Sequence, residues 1–263
     1  MILAVAGLLV LGLAGCASSV PAGPTGMGPS SYTTTRIGWG HGFAGGTIYT
    51  PAGPGPFGSF TIVPGYTAYQ SSISWYGPLL ASNGFIVLTI DTNTVLDQPA
   101  QRSGQQIAAM NYLRDRSPVA SKVDPNRMAV AGWSMGGGGS LRTASTTNVK
   151  AVITLAGWEP FFDLSKVTAA LLVVACRGDL IAPNWQHSDR FYSSGRMSEK
   201  AQITLSSASN HLCVTSADTD IARVVVPWAK YFVDGDVSAA AYLCPGPRVG
   251  GAIVSYRATC PIG

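Results

Sequence analysis

Short, almost uninterrupted apolar runs recur along this chain at residues 60–64, 84–90, 127–131, 151–155 and 170–175. Runs of this length, apolar at odd and even positions alike, suit strands covered on both faces, as in a parallel sheet. Stretches of helical period lie between them. Residues 103–116 set Ile107, Met110 and Leu113 along one stripe, 134–144 open a second helix behind a strand, and 220–232 form a third that Pro227 should interrupt or kink. A further run, 201–205, reads as the last strand. Alternating strands and helices predict an α/β domain with a mostly parallel central sheet flanked by helices.

The first residues follow a different pattern. Residues 2–14 are an apolar block too short to span a bilayer comfortably, which reads as the core of a signal peptide. It ends in Leu13-Ala-Gly-Cys16, which resembles the bacterial lipobox, where the Cys is lipidated and becomes the new N-terminus. The competing reading is an ordinary signal peptide with a coincidental Cys. The usual basic stretch ahead of the apolar block is missing, so Met1 need not be the true start. Residues 17–35, rich in Ser, Pro, Gly and Thr, have the composition of a flexible tether. The expected organisation is a signal peptide over 1–16, a tether over 17–35 and one catalytic domain over 36–263. The expected location is secreted, or on the outer membrane or cell surface of a bacterium through lipidated Cys16.

Composition narrows the partners. The chain has 263 residues, 11% charged, with a net charge of +4, and its Lys and Arg are scattered. No basic run marks a nucleic-acid partner, and a monomer is expected. With Cys16 set aside, Cys176, Cys213, Cys244 and Cys260 remain. An even number in an exported chain implies disulfides, and sequence alone allows three pairings. We favour Cys176–Cys213 with Cys244–Cys260. With no CxxC pair and no HExxH, neither metal nor cofactor is expected. Gly40-x-Gly42-x-x-Gly45 matches a dinucleotide fingerprint in letters, but it precedes a strand and is read as loop glycine.

The chemistry concentrates at Gly132-x-Ser134-x-Gly136, directly after an apolar run and ahead of small residues. This is the pattern of a nucleophile elbow, a sharp strand-to-helix turn that lifts a Ser out of the end of a sheet. A serine hydroxyl needs a base to take its proton and a third group to orient that base. In α/β-hydrolases the order is Ser, acid, His. Asp179 follows the strand 170–175, and His211 follows the strand 201–205. His41 precedes the Ser, and His187 reads as a polar residue at a cleft rim or on the surface. A Cys176–Cys213 bridge would tie the acid loop to the base loop. For the oxyanion, one donor is the N–H of Met135, after the nucleophile, and the other comes from Pro64-Gly65-Tyr66, with Tyr66 as donor. Tyr66 and Trp158 could flank a flat substrate.

Longer motifs carry a resemblance. Val63-Pro-Gly-Tyr-Thr67, Gln70-Ser-Ser-Ile73, Trp75-Tyr-Gly-Pro78, Leu80-Ala-Ser82, Asp91-Thr-Asn-Thr94 and Leu96-Asp-Gln-Pro99 are similar to segments of cutinase-type polyester hydrolases. So are the nine residues from Gly132 to Ser140 and Asp179-Leu-Ile-Ala-Pro183. The nearest likeness is to bacterial poly(ethylene terephthalate) hydrolases, and it runs from about Gly46 to Cys260. The resemblance implies an α/β-hydrolase fold without a large lid and an open cleft. It implies Ser134, Asp179 and His211 as triad and Tyr66 and Met135 as oxyanion donors, with Trp133, Trp158, Ile181 and Leu212 at substrate-contacting positions. Trp133 and the Cys176–Cys213 pair match the poly(ethylene terephthalate) hydrolase branch. His187 matches ordinary cutinases, Leu212 fits neither choice seen in relatives, and Tyr69 stands where a close relative has a basic residue. The reading is an exported serine esterase for polyesters. A general carboxylesterase or triacylglycerol lipase is the alternative, and a non-catalytic surface lipoprotein a more distant one that has no need of a complete triad.

Overall fold

The computed structural model describes residues 26–206 and 210–262. The expected signal peptide, Cys16 and most of the expected tether lie outside them. Nine strands form one sheet: β1 (Tyr32–Ile37), β2 (Gly45–Pro51), β3 (Phe57–Val63), β4 (Ile86–Asp91), β5 (Val123–Trp133), β6 (Ala151–Leu155), β7 (Ala170–Cys176), β8 (Lys200–Leu205) and β9 (Ile253–Ala258). Their order is β1-β2-β4-β3-β5-β6-β7-β8-β9. The six from β4 to β8 run parallel, while β1, β2 and β9 are antiparallel to their neighbours.

The expected apolar runs are the six parallel strands, and alternate residues serve opposite faces, as the two-residue period of a strand requires. Ile153, Leu155, Leu172 and Val174 join one core cluster, while Val152, Leu171 and Val173 join another. The first face is covered by α1 (Tyr76–Ser82) and α5 (Thr219–Ala229), the other by α2 (Pro99–Asp115), α3 (Met135–Ala144) and α4 (Ser188–Ser194). A short α6 (Ala240–Leu243) precedes β9. This is the arrangement of the α/β-hydrolase fold.

Several boundaries differ from expectation for physical reasons. Strand β1 starts at Tyr32, so residues 32–35 belong to the domain and not to a tether. Its Thr-rich composition hid a half-exposed edge strand. Helix α2 begins at Pro99, four residues early, because Pro is already shaped for the first helical position. Helix α5 continues through Pro227 and then widens into a π-turn over Lys230–Asp234. Residues 201–205 lie in the last parallel strand, but β9 follows it as an antiparallel edge. Gly40, Gly42 and Gly45 all have positive φ and lead into β2, which fits a loop and not a phosphate cradle.

Candidate active site

At the carboxyl end of β5 the chain reverses into α3 through Ser134, whose φ of 55° and ψ of −124° lie outside the regions a serine ordinarily occupies. Two glycines make the reversal sterically possible. A Cβ on Gly132 would lie 2.1 Å from the Gly136 carbonyl oxygen, and one on Gly136 would lie 2.3 Å from that of Val63. The elbow is then pinned to β6 on both sides: Ser134 N–H donates to Leu155 O (3.0 Å), and Trp158 N–H donates to Ser134 O (2.8 Å).

Asp179 and His211, the expected acid and base, meet on the loops after β7 and β8. Asp179, three residues beyond β7, is buried, and its Oδ1 accepts the N–H groups of Ile181 (2.9 Å) and Ala182 (2.8 Å). That leaves Oδ2 for His211 Nδ1, at 2.7 Å. Burial pushes the Asp179 carboxyl up, but the bonds from His211, Ala182 and Ile181 outweigh it. The net position lies below the usual carboxylate range. A carboxylate at Nδ1 fixes the tautomer with the proton on that nitrogen, leaving Nε2 as an acceptor. Nε2 is buried and has no hydrogen-bond partner among the described residues. The His211 loop is held from two directions. Trp133, next to Ser134, donates its indole N–H to His211 O (3.2 Å), and Cys213 is bridged to Cys176 at the end of β7, with Cα atoms 5.9 Å apart. The second bridge joins Cys244 to Cys260. Both expected pairings are present.

The turn after β3 faces the elbow. A Cβ on Gly65 would lie 2.9 Å from Ser134 Cβ, so the Gly65–Tyr66 backbone passes against the serine. Neither Tyr66 N–H nor Met135 N–H has an intramolecular backbone acceptor among the described residues, and Met135 opens α3, where N–H groups are unpaired by construction. Around the rim, Tyr66, Ile181 and Leu212 are exposed and Trp158 is half-buried. Trp133, expected among the substrate contacts, is 7% exposed, and its N–H is engaged by His211 O. His187 is not a rim or surface residue: it is buried, its Nδ1 accepts Glu159 N–H (3.0 Å), and its ring lies 5.7 Å from that of Trp158. Burial, reinforced by the Arg190 guanidinium, draws His187 below the usual imidazole range.

Two supporting groups escaped the sequence reading. Arg102, fully buried on α2, donates to Asp97 O (2.7 Å), Pro64 O (2.9 Å), Val95 O (2.9 Å) and Thr92 Oγ1 (3.2 Å). It thereby ties the Pro64–Tyr66 turn to the loop after β4, and burial lowers its pKa to about 10. Glu159, also buried, pairs with Arg142 at 2.6 Å, and its carbonyl accepts from Arg190, which anchors the segment carrying Trp158. No pattern in the sequence marks either: one Arg on a helix and one Glu in a loop are indistinguishable from solvated charges until packing buries them.

Comparison with known proteins places the chain in a family. The chain is 43% identical over 245 residues to a bis(hydroxyethyl) terephthalate hydrolase of Streptomyces coelicolor, covering 92% of this chain and 78% of that protein. It is 44% identical over 226 residues to Cutinase 1 of Thermobifida cellulosilytica, covering 84% of this chain and 86% of the relative. It has the same identity over the same length to a cutinase of Thermobifida fusca, covering 75% of it. The family model described as PET hydrolase-like matches residues 12–261, and the chain belongs to that family.

Proposed function

We propose that this chain is an exported serine esterase that cleaves ester bonds of polyesters through an acyl-enzyme. Ser134 Oγ attacks the ester carbonyl while His211 Nε2 takes its proton, and Asp179 orients and electrostatically supports the imidazolium that forms. The N–H groups of Tyr66 and Met135 receive the oxyanion. His211 then returns the proton to the leaving alkoxide, and water repeats the sequence to release the acid. Each role is filled by the chain's own groups.

The observation that carries this reading is the buried Asp179–His211 hydrogen bond beside a strained elbow serine, with His211 Nε2 left to accept. Tyr66, Trp158, Ile181 and Leu212 form the walls that hold an acyl or aromatic diester unit over Ser134, while Trp133 positions the His211 loop. Two disulfides fit an oxidising compartment. Lipidation of Cys16 would tether the domain at a cell surface, and mass spectrometry of the mature N-terminus tests that separately.

The test is Ser134→Ala beside the parent enzyme, on amorphous poly(ethylene terephthalate), an aliphatic polyester, bis(hydroxyethyl) terephthalate and a long-chain triacylglycerol. The parent should release product from at least one polyester, and the variant should lose about 10⁴-fold or more in kcat while staying folded. Retained turnover in the purified variant would remove Ser134 as nucleophile. Turnover confined to the triacylglycerol would make the enzyme a lipase.

A further inference from the structure

The loops around Ser134 differ from the rest of the surface in two ways. Seven of the twelve large apolar side chains that are exposed among the described residues lie after β3, β4, β7 and β8, ahead of the next α-helix in each case. Four of them, Tyr66, Ile181, Leu212 and Leu96, adjoin the proposed cleft. Leu96 is brought there by Thr67 N–H donating to Val95 O (2.8 Å). The remaining three, Tyr69, Leu180 and Trp185, are 62%, 85% and 76% exposed and extend the apolar area outward.

The same loops are nearly free of charge. Residues 64–75 contain no charged side chain. Asp97, the one carboxylate of the loop after β4, is engaged by Thr94 N–H, Thr94 Oγ1 and Gln105 Nε2. The loop after β7, residues 177–187, exposes one charged side chain, Arg177, and its one carboxylate, Asp179, is buried. Ion pairs gather at the opposite end of the sheet, where Asp124, Arg127, Asp234 and Lys230 form a chain of contacts at 2.7–2.9 Å around the start of β5.

The outlying apolar side chains are also held outward by fixed turns. The two N–H bonds that orient Asp179 close the turn on which Leu180 stands. Trp185 sits in a turn closed by Gln186 N–H and His187 N–H on Pro183 O (both 3.0 Å), and Asn184 Nδ2 ties that turn back to Cys176 O. The backbone under Leu180 and Trp185 therefore loses little freedom on docking, so more of their burial appears as affinity.

We propose that Tyr69, Leu180 and Trp185 form an adsorption apron that docks the domain, cleft downward, on the flat surface of a neutral, apolar solid polymer. The inference rests on the polyester reading above. Three observations select this occupant. The apron stands on the same two loops as the proposed cleft walls Tyr66 and Ile181. Those loops expose a single charged side chain, Arg177, beside the apron's three large apolar ones, too little charge for an ionic partner or an anionic headgroup surface to engage. It stands on loops of several different strands, which suits a broad flat surface better than a single groove.

The experiment compares the parent enzyme with Tyr69→Ser/Leu180→Ser/Trp185→Ser, three changes at exposed positions that carry no side-chain bond in the core. Depletion isotherms over amorphous poly(ethylene terephthalate) powder should show half-saturation at about tenfold higher protein concentration, with p-nitrophenyl butyrate kcat/KM within about twofold of the parent. Product release from the polymer should fall at low enzyme loading and recover at saturating loading. An unchanged isotherm overturns the proposal. So does a parent dimer in sedimentation velocity that the triple variant abolishes, which would assign the face to a second copy. So does loss of binding to phosphatidylcholine vesicles while polymer binding is kept, which would assign it to lipid. A parent enzyme that adsorbs but releases no product from any polyester sinks the functional reading and leaves the isotherm to be judged by itself.

Discussion

Replacing Arg102 should disable the site from a distance. Its guanidinium is fully buried and donates to three backbone carbonyls and one hydroxyl, with Pro64 O the critical acceptor because Tyr66 N–H lies two residues on. Arg102→Met keeps the apolar stem of the side chain but removes every donor. The carbonyls of Pro64, Val95 and Asp97 then lose their cationic partner, Pro64 O in a place water reaches poorly. Pro64 O is buried and left unpaired, Asp97 O is part-buried and left unpaired, and Val95 O keeps Thr67 N–H; at about 1–3 kcal/mol for an unpaired buried acceptor, a total near 2–4 kcal/mol is expected. In a domain of this size about 2–4 °C of melting temperature follows each kcal/mol, which predicts a fall of about 10 °C. Arg102→Lys retains the charge but not the planar fork and should lie between the two.

The informative readout is kinetic. If Arg102 holds the turn that presents Tyr66 N–H, kcat for a small soluble ester should fall about 10–100-fold in Arg102→Met at a temperature well below its melting point, with KM changed little. That is the signature of an interaction used chiefly in the transition state. A variant that is destabilised as expected but keeps the parent kcat would show that the turn holds its shape without Arg102. The oxyanion argument through Pro64 would then be wrong.

Three further outcomes follow. In Gly138→Ala the new Cβ would start 2.4 Å from Trp158 O and 3.0 Å from Glu159 Cβ; the helix-propensity gain of about 1 kcal/mol should be outweighed by overpacking of about 1–3 kcal/mol. Calorimetry should show lower stability, and a bulky aromatic ester should lose more rate than a short aliphatic one; a stabilised variant would mean that the Trp158 segment moves freely. Replacing Cys176 and Cys213 together by Ser opens a loop of 37 residues, worth about 4 kcal/mol in the loop-entropy account, and should lower the melting temperature by about 10 °C while raising the sensitivity of kcat to temperature; an unchanged melting curve would deny the bridge its stabilising role. His187 has its pKa lowered by burial and Arg190, so below about pH 6.5 the unfolded chain takes up a proton that the folded chain refuses. Parent stability should therefore decline as pH falls from there toward the lowered folded value, His187→Gln should lack that part of the decline, and parallel pH profiles would refute the assignment.

What was legible in the sequence was whatever depends on local chemistry or on chain order. The six parallel strands announce themselves because covering on both faces leaves no polar positions. Ser134 is legible because the elbow needs glycine at 132 and 136 for close approach, and Asp179 and His211 because each follows a strand in the expected order. β1 and β9 were not legible as strands: their residues alternate with solvent-facing polar ones or are rich in Thr, and nothing local separates an edge strand from a loop. His187 was misplaced, and the tie that Trp133 makes was missed, for a related reason. Sequence indicates that an aromatic or imidazole ring sits near the site but not how deeply it is packed, and the structure buries both rings.

Those two rings, with Arg102 and Glu159, suggest why the site tolerates loops as its building material. Every proposed catalytic group stands on a connection after a strand, where backbone is ordinarily mobile. Here each connection is tied to its neighbour by a bond that does not take part in the chemistry. Arg102 joins the turn after β3 to the loop after β4, Trp133 joins the elbow to the His211 loop, and the Cys176–Cys213 bridge joins that loop to β7. Glu159 joins the Trp158 segment to α3 through Arg142 and to α4 through Arg190. The proposed walls Tyr66, Ile181 and Leu212 stand next to these ties and remain exposed. The arrangement separates two demands: buried ties fix the reacting atoms, and the rim is left free of ties to meet a substrate that arrives as a surface. A substitution at a tie should therefore act mainly on kcat and stability, and one at the rim mainly on which ester is preferred.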